Sequence, residues 1–262
     1  MTRMRANDAL TTPMKPLIII KAGSTFPSVK PVMGDFEDWV VCGCGLSADN
    51  FSVIHITENQ ALPAFDQISG VIITGSHAMV TDQEPWMQTL ASWIPAVVDR
   101  SIPLLGICFG HQLLAQAMGG YVDYHPQGLE MGTVAITLTE EGRQDMLFDN
   151  LPDNFLVHST HEQTVLKLPA NAVILAENLF ETHHAFRLGD RAWGVQFHPE
   201  FNADIMKIYA REEVESMSTV NYDINALEAS ICNTVTLTPY LRTLWLLSRK
   251  VKFRVKGIAS EP

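Results

Sequence analysis

Cys108 stands in the segment LLGICFGHQLLAQAMGG, with Gly106 and Gly110 two positions to either side. An apolar run ends at the cysteine and a helical pattern starts just after it, so the spacing G-x-C-x-G is the thiol form of a nucleophile elbow. A side chain on so tight a strand-to-helix turn sits in a strained backbone conformation, and only small neighbours let the two elements approach that closely. The turn sets the thiol at a helix N-terminus, whose partial positive charge favours thiolate. The N–H of Phe109, next in the chain, is positioned to meet an oxyanion developing on an acyl carbon. The plainer alternative is a buried structural cysteine at a strand end, a common fate for this residue.

A thiol nucleophile needs a base. AWGVQFHPEF carries His198 at the end of a strand-like run, with Glu200 two residues on. In extended backbone, residues i and i+2 point the same way, and Pro199 stiffens the link between them. The carboxylate can then orient the imidazole, giving Cys108, His198 and Glu200 as nucleophile, general base and orienter. Taken alone, a histidine near a strand end such as His198 is more often a structural polar residue. The two half-signals support each other.

These groups need a scaffold. Short β-branched runs at 17–20, 51–57, 71–75 and 103–108 have the composition of buried strands. Between the last two, Met87, Leu90, Ile94, Val97 and Val98 recur at helical spacing over 84–100, and Pro85 suits a first helical turn. Strand, helix, strand and a further helix after Cys108 form the βαβ pattern of a parallel sheet covered on both faces. After residue 128 come shorter alternating stretches: MGTVAITL, NFLVHST, NAVILAEN, HHAFRL and AWGVQFH. The last two flank Gly189-Asp190 and predict a β-hairpin. Residues 203–217 and 238–251 have helical patterns, the second carrying Leu241, Leu244, Trp245 and Leu247. The expected fold is α/β: a mostly parallel central sheet with helices on both faces, an antiparallel β extension and C-terminal helices. Residues 1–15 read as a loose leader, 16–212 as the main domain, and 213–262 as a helical extension packed on it.

The chain has 262 residues, of which 47% are hydrophobic and 18% charged, enough apolar material for one large domain. Eighteen basic against 29 acidic residues leave a net charge of −11, without the basic footprint of a nucleic-acid or anionic-membrane binder. No apolar run reaches 18 residues, and the N-terminal MTRMRANDALTTPMKP lacks the apolar core of an export signal. Four cysteines make no disulfide scaffold, and the expected setting is cytoplasmic. Cys42 and Cys44 form C-G-C without the further ligands a zinc site needs. His183-His184, beside a turn, is expected to be solvated. The acids of GDFEDWV (34–40) suit the positive end of a helix, and a loop there could overhang the site.

GICFGHQ and GVQFHPEF resemble the two signature segments of the class I (triad) glutamine amidotransferases, over about residues 16–212. The resemblance implies a flavodoxin-like fold and a Cys108–His198–Glu200 triad that needs no metal or organic cofactor. It also implies an oxyanion hole from the backbone of Gly75 or Ser76 together with Phe109. Gln112 matches the family glutamine that helps hold the substrate. The segment HSTHEQTVLKLP corresponds to the family's S-H-G-D or N-H-G stretch and makes Thr160, His161, Glu162 and Gln163 candidates for the pocket. Two positions depart from the pattern: Gly75-Ser76-His77 stands where many members have Gly-Gly-Pro, and Glu162 replaces a glycine. A carboxylate there could pair with an α-ammonium or admit a different γ-glutamyl compound.

Three functions remain open from the sequence. The first is a stand-alone hydrolase releasing ammonia from glutamine, to be used by a separate synthetase subunit. The second is a γ-glutamyl peptidase. The third is a regulatory subunit without catalysis.

Overall fold

A computed structural model describes residues 15–149, 151–216 and 223–234. Its strands are β1 (Leu17–Lys21), β2 (Phe51–His55), β3 (Gly70–Ile73), β4 (Leu104–Ile107), β5 (Tyr121–Tyr124), β6 (Glu130–Leu138), β7 (Asn154–His161), β8 (Gln163–Lys167), β9 (Val173–Glu177), β10 (Ala185–Leu188) and β11 (Ala192–Val195). The α-helices are α1 (Lys30–Met33), α2 (Phe36–Cys44), α3 (Pro85–Asp99), α4 (Phe109–Ala117), α5 (Glu140–Arg143), α6 (Ala203–Ser216) and α7 (Ile224–Ser230).

The main sheet runs β2-β1-β3-β4-β11-β10-β9-β6-β7. From β2 to β11 neighbours are parallel, and from β11 to β7 they are antiparallel. The expected antiparallel extension is therefore a continuation of the same sheet. The hairpin of β10 and β11 turns at Gly189, which takes φ +54°.

Side-chain alternation sorts the core into two layers. Leu17 and Ile19 of β1, Ile72 of β3 and Leu105 and Ile107 of β4 pack with Val40 and Cys44 of α2 on one face. Ile18 and Ile20, Val71 and Ile73, and Leu104 pack with α3 and α4 on the other. This is why the parallel strands read as continuous apolar runs. A third cluster joins Phe36 and Trp39 of α2 to Phe201 and to Ile205, Met206 and Tyr209 of α6.

Two strands lay outside the sequence reading. β5 and β8 form a small antiparallel sheet of their own. Glu162 is the single residue between β7 in the main sheet and β8 in the small one. The expectation that His183 and His184 are solvated is corrected. His184 is fully buried, with Nε2 3.1 Å from Glu130 Oε2, and the Nδ1 of half-buried His183 lies 2.6 Å from the Val165 carbonyl oxygen. The turn after β9 folds inward onto β8, which no local pattern announces. α6 runs unbroken from 212 into 213, where the sequence reading places the start of the extension. Residues 1–14 of the leader and the helical pattern over 238–251 lie outside the described residues.

Candidate active site

Cys108 joins β4 to α4 with φ +49° and ψ −101°, in the positive-φ region that side chains normally avoid. The flanking glycines make this turn possible. A Cβ on Gly106 would lie 2.3 Å from the Gly110 carbonyl oxygen, and one on Gly110 would lie 2.6 Å from that of Ile73. Helix α4 thus sits directly on the ends of β3 and β4. The N–H of Phe109, the first residue of α4, has no acceptor within the helix and is free for an incoming group.

β4 and β11 pair in parallel, Ile107 against Val195, and the Cys108 N–H donates to the Val195 carbonyl at 2.8 Å. That register brings the chain beyond β11 alongside the sulfur. The Gln196 Nε2 donates to Cys108 Sγ at 3.6 Å, and the thiol donates to the Thr160 carbonyl oxygen at the same distance.

His198 is buried. Its N–H donates to the His158 carbonyl at 2.8 Å, and its ring stacks on Phe201 with centroids 4.1 Å apart. Nδ1 lies 2.8 Å from Glu200 Oε1, also buried. A Cβ on Gly75 would come within 3.0 Å of His198 Cε1, so the glycine leaves room for the ring. Burial alone would lower the affinity of His198 for a proton. The Glu200 carboxylate, and Cys108 through its charge and hydrogen bond, outweigh this and push it up to about 10. The imidazolium charge and burial act in concert on the neighbouring histidines: burial first, then His198, lowers His77, and the same pair takes His158 down to about 4.

A cavity of about 240 Å³ opens over the sulfur. Ser76, Cys108, Phe109, Gln112 and His198 line it, as do Thr160, His161, Glu162 and Gln163. Gly75 borders His198, and Glu200 lies behind the ring. The residues singled out from the sequence thus converge on one place, although Gln112 turns inward: its Nε2 donates to the Gln163 carbonyl at 2.7 Å and to Gln196 Oε1 at 3.1 Å.

The sequence reading missed the wall formed by Phe26, Phe36, His77 and Tyr209, and Glu213 beside it. Phe26 packs at a tilt against His77, with centroids 4.4 Å apart, and meets Tyr209 edge-on at 5.1 Å. Burial raises the Tyr209 hydroxyl above its ordinary range, and the group shares a 2.7 Å hydrogen bond with Thr25 Oγ1. Phe36 follows Asp35, whose carboxylate caps α2. Asp35 also pairs with buried Lys21 at 2.5 Å, and Lys21 reaches Glu37 at 2.6 Å. This ion cluster pins the loop that carries Phe26 and Phe36. Glu213 comes from α6, and burial together with the Glu162 charge raises its pKa. For these residues the only usable signal was the acid-rich GDFEDWV start of α2.

Among the described residues no group of three or more His, Cys, Asp or Glu side chains is arranged to hold a metal ion. Cys42 is exposed and Cys44 buried, with burial pushing the Cys44 thiol up to about 12. No described helix is long and apolar enough to cross a membrane.

Residues 41–211 match the family model described as glutamine amidotransferase class-I, which covers both candidate motifs. The chain belongs to this class I glutamine amidotransferase family. Members are typically cysteine-dependent amidohydrolases. The chain is 28% identical over 194 residues to γ-glutamyl peptidase 5 of Arabidopsis thaliana, covering 72% of this chain and 76% of that one. It is 30% identical over 151 residues to a GMP synthase [glutamine-hydrolyzing] subunit of Methanococcus aeolicus, covering 55% and 74%. Its fold resembles the crystal structure of a glutamine amidotransferase from Methylobacillus flagellatus, with a TM-score of 0.70 and 24% identity, over 90% of this chain and 95% of that one.

Proposed function

We propose that this chain is a cysteine amidohydrolase that cleaves the γ-amide of glutamine, with Cys108 as nucleophile, His198 as general acid and base, and Glu200 as its orienter. The observation that carries this reading is a thiol on a strained elbow beside an imidazole whose far nitrogen is held 2.8 Å from a buried carboxylate. The thiolate attacks the γ-carbonyl carbon, and the N–H groups of Phe109 and of Gly75 or Ser76 receive the oxyanion. Each such donor is worth about 2.7–4 kcal/mol of barrier. The tetrahedral adduct collapses as the C–N bond breaks and His198 gives its proton to the leaving nitrogen. Ammonia departs and a γ-glutamyl thioester stays on Cys108. The neutral imidazole then takes a proton from water, which attacks the thioester; the C–S bond breaks and glutamate leaves. Thr160, His161, Glu162 and Gln163 form the substrate-facing floor.

A second reading is favoured by Glu162. A carboxylate where the family pattern has glycine changes the shape and charge of the floor, and the peptidase named among the relatives acts, by that name, on γ-glutamyl compounds. The leaving group is then an amino acid or peptide rather than ammonia, with the same steps at the sulfur. In the first reading the ammonia passes to a separate synthetase subunit, which the name of the GMP synthase relative suggests for that protein. A reducing cytoplasm suits a free thiol nucleophile.

The test is to incubate the purified protein with glutamine and with γ-glutamyl dipeptides. Ammonia supports the first reading and a freed amino acid or peptide the second. Neither product, or full activity in a Cys108→Ala variant, would sink the hydrolase assignment.

A further inference from the structure

Among the described residues, the side-chain amide hydrogen-bonded to the Cys108 sulfur belongs to Gln196, outside the proposed triad. Gln196 is completely buried, two residues before His198 and on the same side of the extended chain. Which end of its amide faces the sulfur follows from a hydrogen-bond chain that begins at a pure acceptor. The Gln163 carbonyl oxygen can only accept, so Gln112 must present its NH₂ to it, at 2.7 Å. The same NH₂ lies 3.1 Å from the Gln196 side chain, which must therefore turn its oxygen to Gln112. The Gln196 NH₂ is left pointing at Cys108 Sγ, 3.6 Å away.

The far end of the chain is anchored as well. His161 Nδ1 lies 2.9 Å from the same Gln163 carbonyl, and its Nε2 lies 3.1 Å from Glu130 Oε2. Glu130 is buried at the start of β6 and also accepts from Ser159 at 3.0 Å and Asn178 at 2.8 Å. Burial would raise its pKa, but donation from His161 and His184 holds it below the carboxylate range. The directions of the two side-chain amides are thus set by the Gln163 main-chain carbonyl, and His161 ties the segment that bears it to Glu130.

We propose that Gln196 is a catalytic hydrogen-bond donor to the Cys108 thiolate, and that Gln112, itself oriented by the Gln163 main-chain carbonyl, is the positioning residue that fixes its direction. A donor on the sulfur stabilises the anion. It also gives Gln112 a structural duty beside its place in the cavity wall. This rests on Cys108 being the nucleophile.

The test needs no substrate. Full-length protein is alkylated with iodoacetamide across pH 5–10, and the labelling of Cys108 is separated from exposed Cys42 and Cys232 by peptide mass spectrometry. Gln196→Met keeps the volume and removes the donor. Its labelling midpoint should rise by about one pH unit, a tenfold loss of thiolate at neutral pH. Gln112→Met should move the midpoint the same way by less. The charged and titratable groups around the sulfur remain in place: His198 directly, Glu200 through it, and His77 and His158 beside His198. A folded Gln196→Met protein with an unmoved midpoint would overturn the proposal. Should that variant not fold, the wild-type protein still decides it, because the side-chain amide resonance of Gln196 must titrate with Cys108. A resonance indifferent to the thiol refutes the donor. If wild-type Cys108 is no more reactive than the exposed cysteines, the hydrolase reading fails first, and this proposal with it.

Discussion

Replacing Glu200 by glutamine tests whether the carboxylate orients His198 or merely fills space. The Oε1–Nδ1 distance is 2.8 Å and both groups are buried. Two unit charges about 3 Å apart at an effective dielectric of about 20 attract by roughly 5 kcal/mol, before the cost of burying them. An opposite charge at such range typically shifts a pKa by about 1–3 units. His198 should then titrate well below its present value of about 10. The amide has a second effect. If its NH₂ turns to Nδ1, the ring proton must sit on Nε2, and the ring can no longer take a proton from the thiol or from water. The same change in a Ser-His-Asp triad lowers kcat about 10⁴-fold. We expect a loss of about 10³–10⁴ here, or roughly 4–5.5 kcal/mol of barrier. The assay is release of glutamate from glutamine at saturation across pH 5–10, with thermal unfolding followed on the same samples. A raised His198 stabilises the fold fully below about pH 6.5 and loses that contribution as pH rises through about 10. In Glu200→Gln the alkaline loss should begin at lower pH. A fall in kcat of under tenfold, with both pH profiles unmoved, would refute the orienting role.

Gly106→Ala drives a Cβ against the Gly110 carbonyl 2.3 Å away. It should cost about 3 kcal/mol or more in urea unfolding, and an unchanged midpoint would show that the elbow tolerates bulk. Asp35 would be raised by burial, but Lys21 and the N–H groups of Thr25 and Phe36 hold it down at about 2. Its contribution is therefore present above about pH 4 and lost as pH falls through 2, so Asp35→Asn should be about 2 kcal/mol less stable at neutral pH and flatter over that acid window. Chemical denaturation at pH 2.5, 4 and 7 measures both. Glu162→Gly removes the charge that, after burial, holds Glu213 up. It should change the ratio of kcat/KM for a γ-glutamyl dipeptide against glutamine by tenfold or more, and an unchanged ratio would take Glu162 out of specificity.

The elbow side of the candidate site was legible because it is local. Five consecutive residues around Cys108 encode the strand, the elbow and the helix, and the glycines are needed at positions that the spacing alone reveals. The parallel strands were legible for a related reason: buried on both faces, they read as uninterrupted apolar runs. β5 escaped because YVDY is short and half exposed, and its partner β8 continues β7 with one residue between. The aromatic wall escaped for a different reason. Phe26, Phe36, His77 and Tyr209 come from separate loops and helices, and only the ion cluster at Lys21 and the packing of α6 on α2 bring them together. His184 was misjudged because its burial depends on Glu130, 54 positions earlier, and no periodicity spans that distance. Gln196 had a usable signal in the alternation that links His198 to Glu200; carried two residues backward, it points at the sulfur.

The two halves of the site are 90 residues apart in sequence, and what joins them is the register of one strand pair. Gly106 faces Gly194 and Ile107 faces Val195, so Cys108 lies level with Gln196, and His198 comes one pleat further along. A slip of one residue between β4 and β11 would set Phe197 against the sulfur and turn both polar side chains to the opposite face. That slip is resisted from both sides. Leu105 and Ile107 are buried with Trp193 and Val195 in one layer, while Leu104 and Ala192 are buried in the other. A Cβ on Gly194 would lie 2.7 Å from His111 Nδ1, so only glycine fits opposite Gly106 beneath α4. The same pair is where the sheet changes from parallel to antiparallel, with β11 parallel to β4 and antiparallel to β10. The thiol stands just past the carboxyl end of β4, the side on which an open parallel sheet leaves its crevice. Apolar burial in the core thus sets the alignment of the thiol with its proposed amide donor and proposed base, and the positive-φ turn at Cys108 presents the sulfur to the cavity.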